Sequence, residues 1–356
     1  MDCEDNTNWK KCFEQEQRQR KQIEHQLEAK IEELYQVQYT LTKKVKELET
    51  LNQKLQVAKK EVSRNAQEKA LALEELTAFT EALEDIVEER TQEAHFQKLK
   101  IIQSLNYAKQ IQLAILSFED KVVKNLPEHF LLFKPRDIVS GDMYWFSNKH
   151  PDLTFIAVVD CTGHGVPGAF MSLIAHNLLN EIINIRRLFS VDRALEKLHK
   201  LVVRVLKQRV TNNHDGMDVS LVMIDSFIKR IDFAGANAPM IMIQNGEQRI
   251  INGERTGIGG IKINRQRSYS KKTFSYSKKY PTHLYLFSDG FQDQFGGKVR
   301  EKFLRHRFYE LLLEIHALPM SSQRLQLENT LQTWMNGQPD NEQTDDILVM
   351  GLRLIP

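Results

Sequence analysis

From about residue 23 to residue 94 the chain repeats in sevens. Leu27, Leu34, Leu41, Leu48, Leu55, Val62, Leu76 and Leu83 fall in one register, interrupted by Lys69. An apolar residue every seventh position marks the d seam of a coiled coil. The matching a positions, Ile31, Gln38, Val45, Asn52, Lys59, Ala66, Leu73, Thr80 and Val87, mix apolar with polar. A polar a residue lowers stability but fixes register, because a buried amide needs a partner at its own level, and this favours two parallel strands. Residues 1–96 are therefore expected to form a dimerisation and signalling helix. About 70 coiled-coil residues would make a parallel homodimeric rod roughly 100 Å long. A lone solvated helix or one member of an intramolecular bundle would carry the same stripe less economically.

Beyond the rod, Leu99, Ile102, Leu105, Ile111, Ile115 and Leu116 keep helical spacing but leave the heptad. This predicts a connecting regulatory helix over 97–122, packed on the following domain as well as on its twin. After Pro127 the pattern becomes short β-rich runs, glycine turns and amphipathic helices. Strands are predicted at 130–134, 142–147, 154–160, 218–225, 230–234, 239–244, 247–251, 274–277, 283–288 and 346–354. Helices are predicted at 168–185, 191–209, 300–316 and 321–336. Many consecutive strands with few intervening helices imply mainly antiparallel sheets with helices outside, an α+β domain over 123–356.

Charge adds little direction. Lys and Arg total 49 against 47 for Asp and Glu, a balance of +2, which excludes a global field for nucleic acid or an anionic membrane. Cys3, Cys12 and Cys161 show no pairing logic and no C-x-x-C spacing, arguing against structural disulfides and zinc and for a reducing compartment. The acidic start Met1-Asp2-Cys3-Glu4-Asp5 lacks the apolar core of a secretory leader,. No uncharged apolar stretch approaches the ~18 residues of a membrane span. A soluble, cytoplasmic location is expected.

The chemistry is concentrated in four blocks that place an aspartate at the edge of a strand-like apolar run: Ser140-Gly141-Asp142, Val159-Asp160-Cys161, Ser288-Asp289-Gly290 and Thr344-Asp345-Asp346. Carboxylates so placed must be offset by positive charge, yet no Lys or Arg interrupts the blocks. Hard divalent cations fit that requirement. Successive residues of an extended chain point oppositely, so one of Asp345 and Asp346 would face such ions. Asp160 is followed by Cys161-Thr162-Gly163-His164-Gly165-Val166-Pro167-Gly168, a strand-to-helix turn whose main-chain oxygens can join a carboxylate on a metal. The turn lacks the nucleotide P-loop pattern. His164 in it could protonate a leaving group or simply brace the loop.

Around these residues the chain resembles the PPM metal-dependent protein phosphatases (protein phosphatase 2C-like), in the bacterial SpoIIE/RsbU-like serine phosphatase branch. The resemblance covers roughly residues 100–354. It is carried by Tyr107-Ala108-Lys109-Gln110-Ile111-Gln112, Lys134-Pro135-Arg136-Asp137-Ile138-Val139-Ser140-Gly141-Asp142, Asp160 to Ala169, Gly216-Met217-Asp218-Val219-Ser220-Leu221, Ala234 to Pro239, Ser288-Asp289-Gly290 and Asp345-Asp346-Ile347. It implies a β-sandwich of two antiparallel sheets flanked by helices, with two Mn2+ or Mg2+ ions at one edge. By the same resemblance Asp160 bridges the ions, the Cys161 main-chain carbonyl joins one, Asp289 and Asp345 hold the other, and Asp142 ligates directly or through water. Asp345 is preferred to Asp346 as the first aspartate of the terminal pair. Arg136 is the nearest match to a phosphate-binding arginine, and His164 stands two residues further from the bridging aspartate than in eukaryotic relatives.

The implied reaction is hydrolysis of phosphoserine or phosphothreonine on a protein. The substrate implied by the family is a phosphorylated STAS-domain anti-sigma-factor antagonist, with an upstream sensor protein as a further partner. Asp218 is read as structural. The basic run Lys262 to Lys279 is read as a lysine-guarded hairpin edge rather than a docking strip. Two other functions compete: a signalling scaffold of the same fold without turnover, and a nucleotide cyclase, which the absence of a Gly-Gly-Asp/Glu-Glu-Phe hairpin disfavours.

Overall fold

The computed structural model describes residues 5–116, 128–260, 267–276, 279–336 and 342–355. Two compact units divide between His95 and Phe96. Helix α1 runs Asp5–Leu116, a stretch with neither Gly nor Pro to interrupt it,. In the first unit the heptad side chains stand in water, Leu34 at 63% and Leu48 at 64% exposure. Same-helix ion pairs such as Arg64–Glu68 and Arg90–Glu93 decorate its surface,.

The second unit begins with the last turns of α1, followed by β1 (Glu128–Lys134), β2 (Met143–His150), β3 (Leu153–Cys161) and α2 (Gly165–Leu179). Helix α2 runs into a π-helical turn at Asn180–Ile185, then α3 (Val191–Val205), β4 (Gly216–Asp225), β5 (Arg230–Ala236), β6 (Met240–Gln244), β7 (Glu247–Ile251), β8 (Ile258–Gly259) and β9 (Lys272–Ser275). The chain ends with β10 (Thr282–Phe287), the single turn α4 (Gly290–Asp293), β11 (Phe295–Gly296), β12 (Glu301–Lys302), α5 (Arg305–Ile315), α6 (Met320–Met335) and β13 (Ile347–Leu354).

One sheet has the order β1-β13-β10-β6-β7 and the other β2-β3-β4-β5-β9, with β8 on β4; β11 and β12 form a separate hairpin. The ladders of both sheets are antiparallel. The period of two explains the layering. Along β3, Ile156 and Val158 meet Leu284, Leu286, Leu348 and Met350 between the sheets. Their neighbours Phe155, Ala157 and Val159 face the other way, under Leu179 of α2 and Leu195 and Leu198 of α3. On the far side Tyr285, Phe287, Ile347 and Val349 pack beneath Phe308 and Leu312 of α5 and Leu327 and Leu331 of α6. The domain is an α+β sandwich of two antiparallel sheets with helices on both outer faces.

Several boundaries differ from the sequence reading, most plainly at three helices. The helix expected at 300–316 starts at Arg305, because Glu301 and Lys302 pair with Gly296 and Phe295. The helix expected at 168–185 begins at Gly165 and changes to π-helical hydrogen bonding at Asn180. The helix expected at 191–209 ends at Val205, just before Lys207 turns to φ 50°. Of the basic run, Lys262, Arg265 and Lys278 lie outside the described residues, as do residues 117–122 of the expected connecting helix. Lys272 begins the edge strand β9, and its ammonium donates to the Asn252 carbonyl at 2.7 Å.

Candidate active site

Strand parity carries the acidic blocks to one rim of the sandwich. Asp160 has the parity of Ile156 and Val158, so its carboxylate emerges between the sheets at the end of β3. The antiparallel register sets Asp218 of β4 directly opposite it. Met143 pairs with Val159, so Asp142 enters the rim on the other flank of β3. In the second sheet the Ser288 amide donates to the Leu348 carbonyl at 2.9 Å, which holds Ser288-Asp289 beside Asp345-Asp346 at the mouth of β13.

These carboxylates raise one another. Asp142 is 2% exposed and its Oδ2 has no hydrogen-bond partner. Burial first, then Asp160, pushes its carboxyl well above the usual range, while a hydrogen bond with the Ser288 side chain works the other way. Asp160 is pushed well up by burial and then by Asp289, Asp218 and Asp345, partly offset by the Asp289 amide. Asp289 is raised by the protein packed around its carboxyl, then by Asp345 and Asp293. Asp345 is raised by burial, with the nearby charges of His164 and Arg136 acting in opposition. Desolvated like charges this close ask for a compensating cation. Asp142, Asp160, Asp289 and Asp345 make no ion pair with Lys or Arg among the described residues.

Asp346 is occupied differently. Its Oδ1 accepts the Arg136 amide and its Oδ2 the Gly141 amide, both at 2.7 Å, so this buried side chain staples the loop that carries Asp142. A Cβ on Gly141 would stand 2.4 Å from the Gly163 carbonyl oxygen and 3.4 Å from that of Cys161. Only a glycine lets the two acidic loops approach this closely. The Cys161 side chain is itself buried, and burial followed by the charge of Asp160 pushes its thiol up. The next residue is pinned reciprocally: the Thr162 amide donates to the Gly216 carbonyl at 2.9 Å and the Gly216 amide to the Thr162 hydroxyl at 3.0 Å.

Arg136 and His164 lie on the Asp345 flank, and both are exposed. His164 Nδ1 stands 2.6 Å from Asp137 Oδ2. From the opposite side the helical connector reaches the same loop: Gln112 Nε2 donates to the Ser140 carbonyl at 2.7 Å and to the Ser172 hydroxyl at 3.0 Å, and the Ser140 amide donates to Gln112 Oε1 at 3.2 Å.

Residues 150–355 match the family model described as Stage II sporulation protein E (SpoIIE). The SiaA-PP2C domain of Pseudomonas aeruginosa superposes with a TM-score of 0.64 at 32% identity, covering 72% of this chain and 98% of that one. The chain belongs to the SpoIIE family. It is by class a PP2C-type protein serine/threonine phosphatase. The PP2C phosphatase domain and regulatory fragment of SpoIIE from Bacillus subtilis shares the fold, with a TM-score of 0.50 at 16% identity over 64% of this chain and 63% of that one. Sequence comparison with curated proteins gives no match.

PP2C-type phosphatases use divalent metal ions, and the donor set of this SpoIIE-family rim is all oxygen, as Mg2+ and Mn2+ prefer. Among the described residues no three His, Cys, Asp or Glu side chains converge as a ready cage. An ion here would take one or two carboxylates, a main-chain oxygen and water, which is how Mg2+ is commonly held. The buried, partnerless Oδ2 of Asp142 fits such a guest. No helix among the described residues is long and apolar enough to cross a membrane. Five further side chains reach the site that sequence reasoning did not single out: Gln112, Asp137, Asn237, Gln292 and Arg305. Asp218, set aside as structural, faces Asp160 across the ladder, and Asn237 Nδ2 donates to its Oδ2 at 2.6 Å. Two strands each carrying an aspartate at the same rim was the available signal.

Proposed function

We propose that this phosphatase hydrolyses phosphoserine or phosphothreonine on a signalling protein with the help of two Mn2+ or Mg2+ ions, under control of a dimeric coiled coil. The observation that carries the reading is the rim itself, where four carboxylates crowd without a Lys or Arg ion pair among the described residues and Asp142 Oδ2 is buried without a hydrogen-bond partner. Asp142, Asp160, the Cys161 carbonyl, Asp289 and Asp345 would hold the ions. Bound there, they would supply the Lewis acidity that activates a water and offsets charge at phosphorus.

The chain's own groups do the rest. Asp346 and Ser288 fix the Asp142 loop, so that the carboxylates keep their spacing. Arg136, anchored through its amide, would offer its guanidinium to phosphoryl oxygens. His164, oriented by Asp137, would give a proton to the departing serine or threonine oxygen. Family membership supports a partner-switching role, with a phosphorylated STAS-domain anti-sigma-factor antagonist as substrate and an upstream sensor as input. The exposed heptad stripe supports a homodimer, since a second copy is the occupant whose register matches it. A cytoplasmic site of action fits that role.

Purified protein with Mn2+ should release phosphate from phosphoserine proteins and from p-nitrophenyl phosphate, and Asp160→Asn should abolish release. Absence of both phosphate release and calorimetric metal binding in the wild type would overturn the proposal.

A further inference from the structure

Beside the carboxylate rim lies a cleft of about 60 Å3, bordered by Asp160, Asp218, Asn237, Asp289, Gln292 and Arg305. Two of its groups matter for a guest, a buried acceptor without a partner and an exposed cation. Gln292 is 4% exposed, yet its Oε1 has no hydrogen-bond partner, and a buried acceptor without a donor is costly. Arg305 brings five N–H donors and a permanent charge, and makes no ion pair among the described residues. The neighbouring cation Lys302 is already bonded to Asp293 Oδ2 at 2.7 Å.

The chain tethers these two groups to one another. The Leu304 amide donates to the Gln292 carbonyl at 2.8 Å and the Phe303 amide to the Gln294 carbonyl at 3.0 Å. Leu304 itself is held at φ 75°, a left-handed conformation that a leucine keeps only where its surroundings impose it. This clamp starts α5 at Arg305, against the short helix that carries Gln292.

A guest that engages both groups presents an anionic oxygen to the guanidinium and a hydrogen-bond donor to the amide oxygen. A phosphoserine within an extended peptide carries both, its main-chain N–H standing apart from the phosphoryl group, whereas an aryl phosphate dianion carries the first alone. Resting on the phosphatase reading, we infer that Arg305 and Gln292 form the peptide-side subsite, Arg305 taking a phosphoryl oxygen and Gln292 Oε1 a main-chain N–H of the substrate. Arg305 then meets the phosphoryl group from the Asp160 and Asp218 flank, opposite Arg136 on the Asp345 flank. Asn237 Nδ2, donating to Asp218 Oδ2 at 2.6 Å, fixes that carboxylate at the same border of the cleft.

The test uses the full chain loaded with Mn2+, titrated calorimetrically with inorganic phosphate and assayed on p-nitrophenyl phosphate and a phosphoserine peptide. Arg305→Ala should weaken phosphate binding about tenfold or more, with partial recovery in Arg305→Lys, a point charge without the fork. Mn2+ affinity and circular dichroism report separately on folding. Gln292→Met, similar in size but without the acceptor, should raise KM for the peptide at least about fivefold more than for p-nitrophenyl phosphate. Wild-type phosphate affinity in Arg305→Ala, or equal effects of Gln292→Met on both substrates, would overturn the inference. Wild-type protein that binds phosphate but turns over neither substrate would overturn the phosphatase reading instead, while the Arg305 variants still decide the subsite by binding.

Discussion

Replacing Gln112 by Met tests how the helical connector supports the metal loop. Gln112 is 4% exposed and Ser140 has no exposed surface at all, yet both main-chain polar groups of Ser140 are satisfied by this one side chain. Methionine keeps the length and bulk but offers neither amide donor nor carbonyl acceptor. Two buried main-chain groups would lose their partners at about 1–3 kcal/mol each, so the domain should lose about 2–5 kcal/mol after relaxation. With an m-value of about 2–3 kcal/mol/M, the urea midpoint falls by roughly 1–2 M. The loosened segment is Ser140-Gly141-Asp142, held on its other flank by Asp346, so Mn2+ affinity should fall with it. Urea unfolding and Mn2+ calorimetry on the same preparations read both effects. A midpoint within about 0.3 M of wild type, together with unchanged Mn2+ affinity, would refute the argument.

Three other outcomes follow from the geometry. Asp142→Asn should stabilise the metal-free protein by at least about 1 kcal/mol, because the ionised, partnerless Oδ2 is the costly form. The same change should reduce the Mn2+-induced stabilisation, about 2.7 kcal/mol at a hundredfold excess over Kd in the wild type, which thermal melts with and without Mn2+ will show. His199 and His283 are both lowered to about 4 by burial, helped by Arg267 at His199 and by His316 at His283. Their neutral forms are favoured by folding, so their stability contribution is present above pH 6.5 and is lost as pH falls from 6.5 towards about 4. The urea midpoint of Mn2+-loaded protein should drop across that window, with a shallower slope in His199→Gln; identical slopes would refute the assignment. Deleting residues 1–96 should leave a folded, mostly monomeric domain with altered basal activity, and unchanged light-scattering mass and phosphate release would remove the proposed role of the rod.

What could be read from the chain depended on how local the cause was. Apolar runs such as Phe155 to Val159 and Leu284 to Phe287 announced their strands because both faces of each are buried, and an aspartate ending such a run is visible without a fold. The α+β class with antiparallel sheets followed from the succession of strands, whereas the two-sheet sandwich was implied by the family resemblance. The two-residue strands β8, β11 and β12 and the single turn α4 are too short to show a period, so Glu301 and Lys302 were absorbed into the following helix. The remaining site residues depend on distance along the chain. Asp137 and His164 meet across 27 positions, and Gln112 and Ser140 across 28. Asp218 meets Asp160 only through a register that no local pattern specifies,.

The last turns of α1 present two different faces, and this bears on how a signal could reach Asp142. Ile102, Leu105 and Ala108 are half-buried and Gln112 and Leu116 buried, which marks one stripe as the side that docks on the sandwich. Ile101, Ile111 and Ile115 stay exposed at 60%, 44% and 38%, and these three still fall on a or d positions of the rod's register although the segment as a whole leaves the strict heptad. At about 100° per residue the two stripes lie roughly a quarter of a turn apart, so one helix can serve both at once. In the proposed dimer, a second helix seated on Ile111 and Ile115 would border Gln112 directly. Amide hydrogen bonds weaken steeply with angle and distance, whereas apolar packing tolerates small rotations. A change of pairing that turned the helix would therefore act first on the bonds to Ser140, two residues from the buried carboxylate.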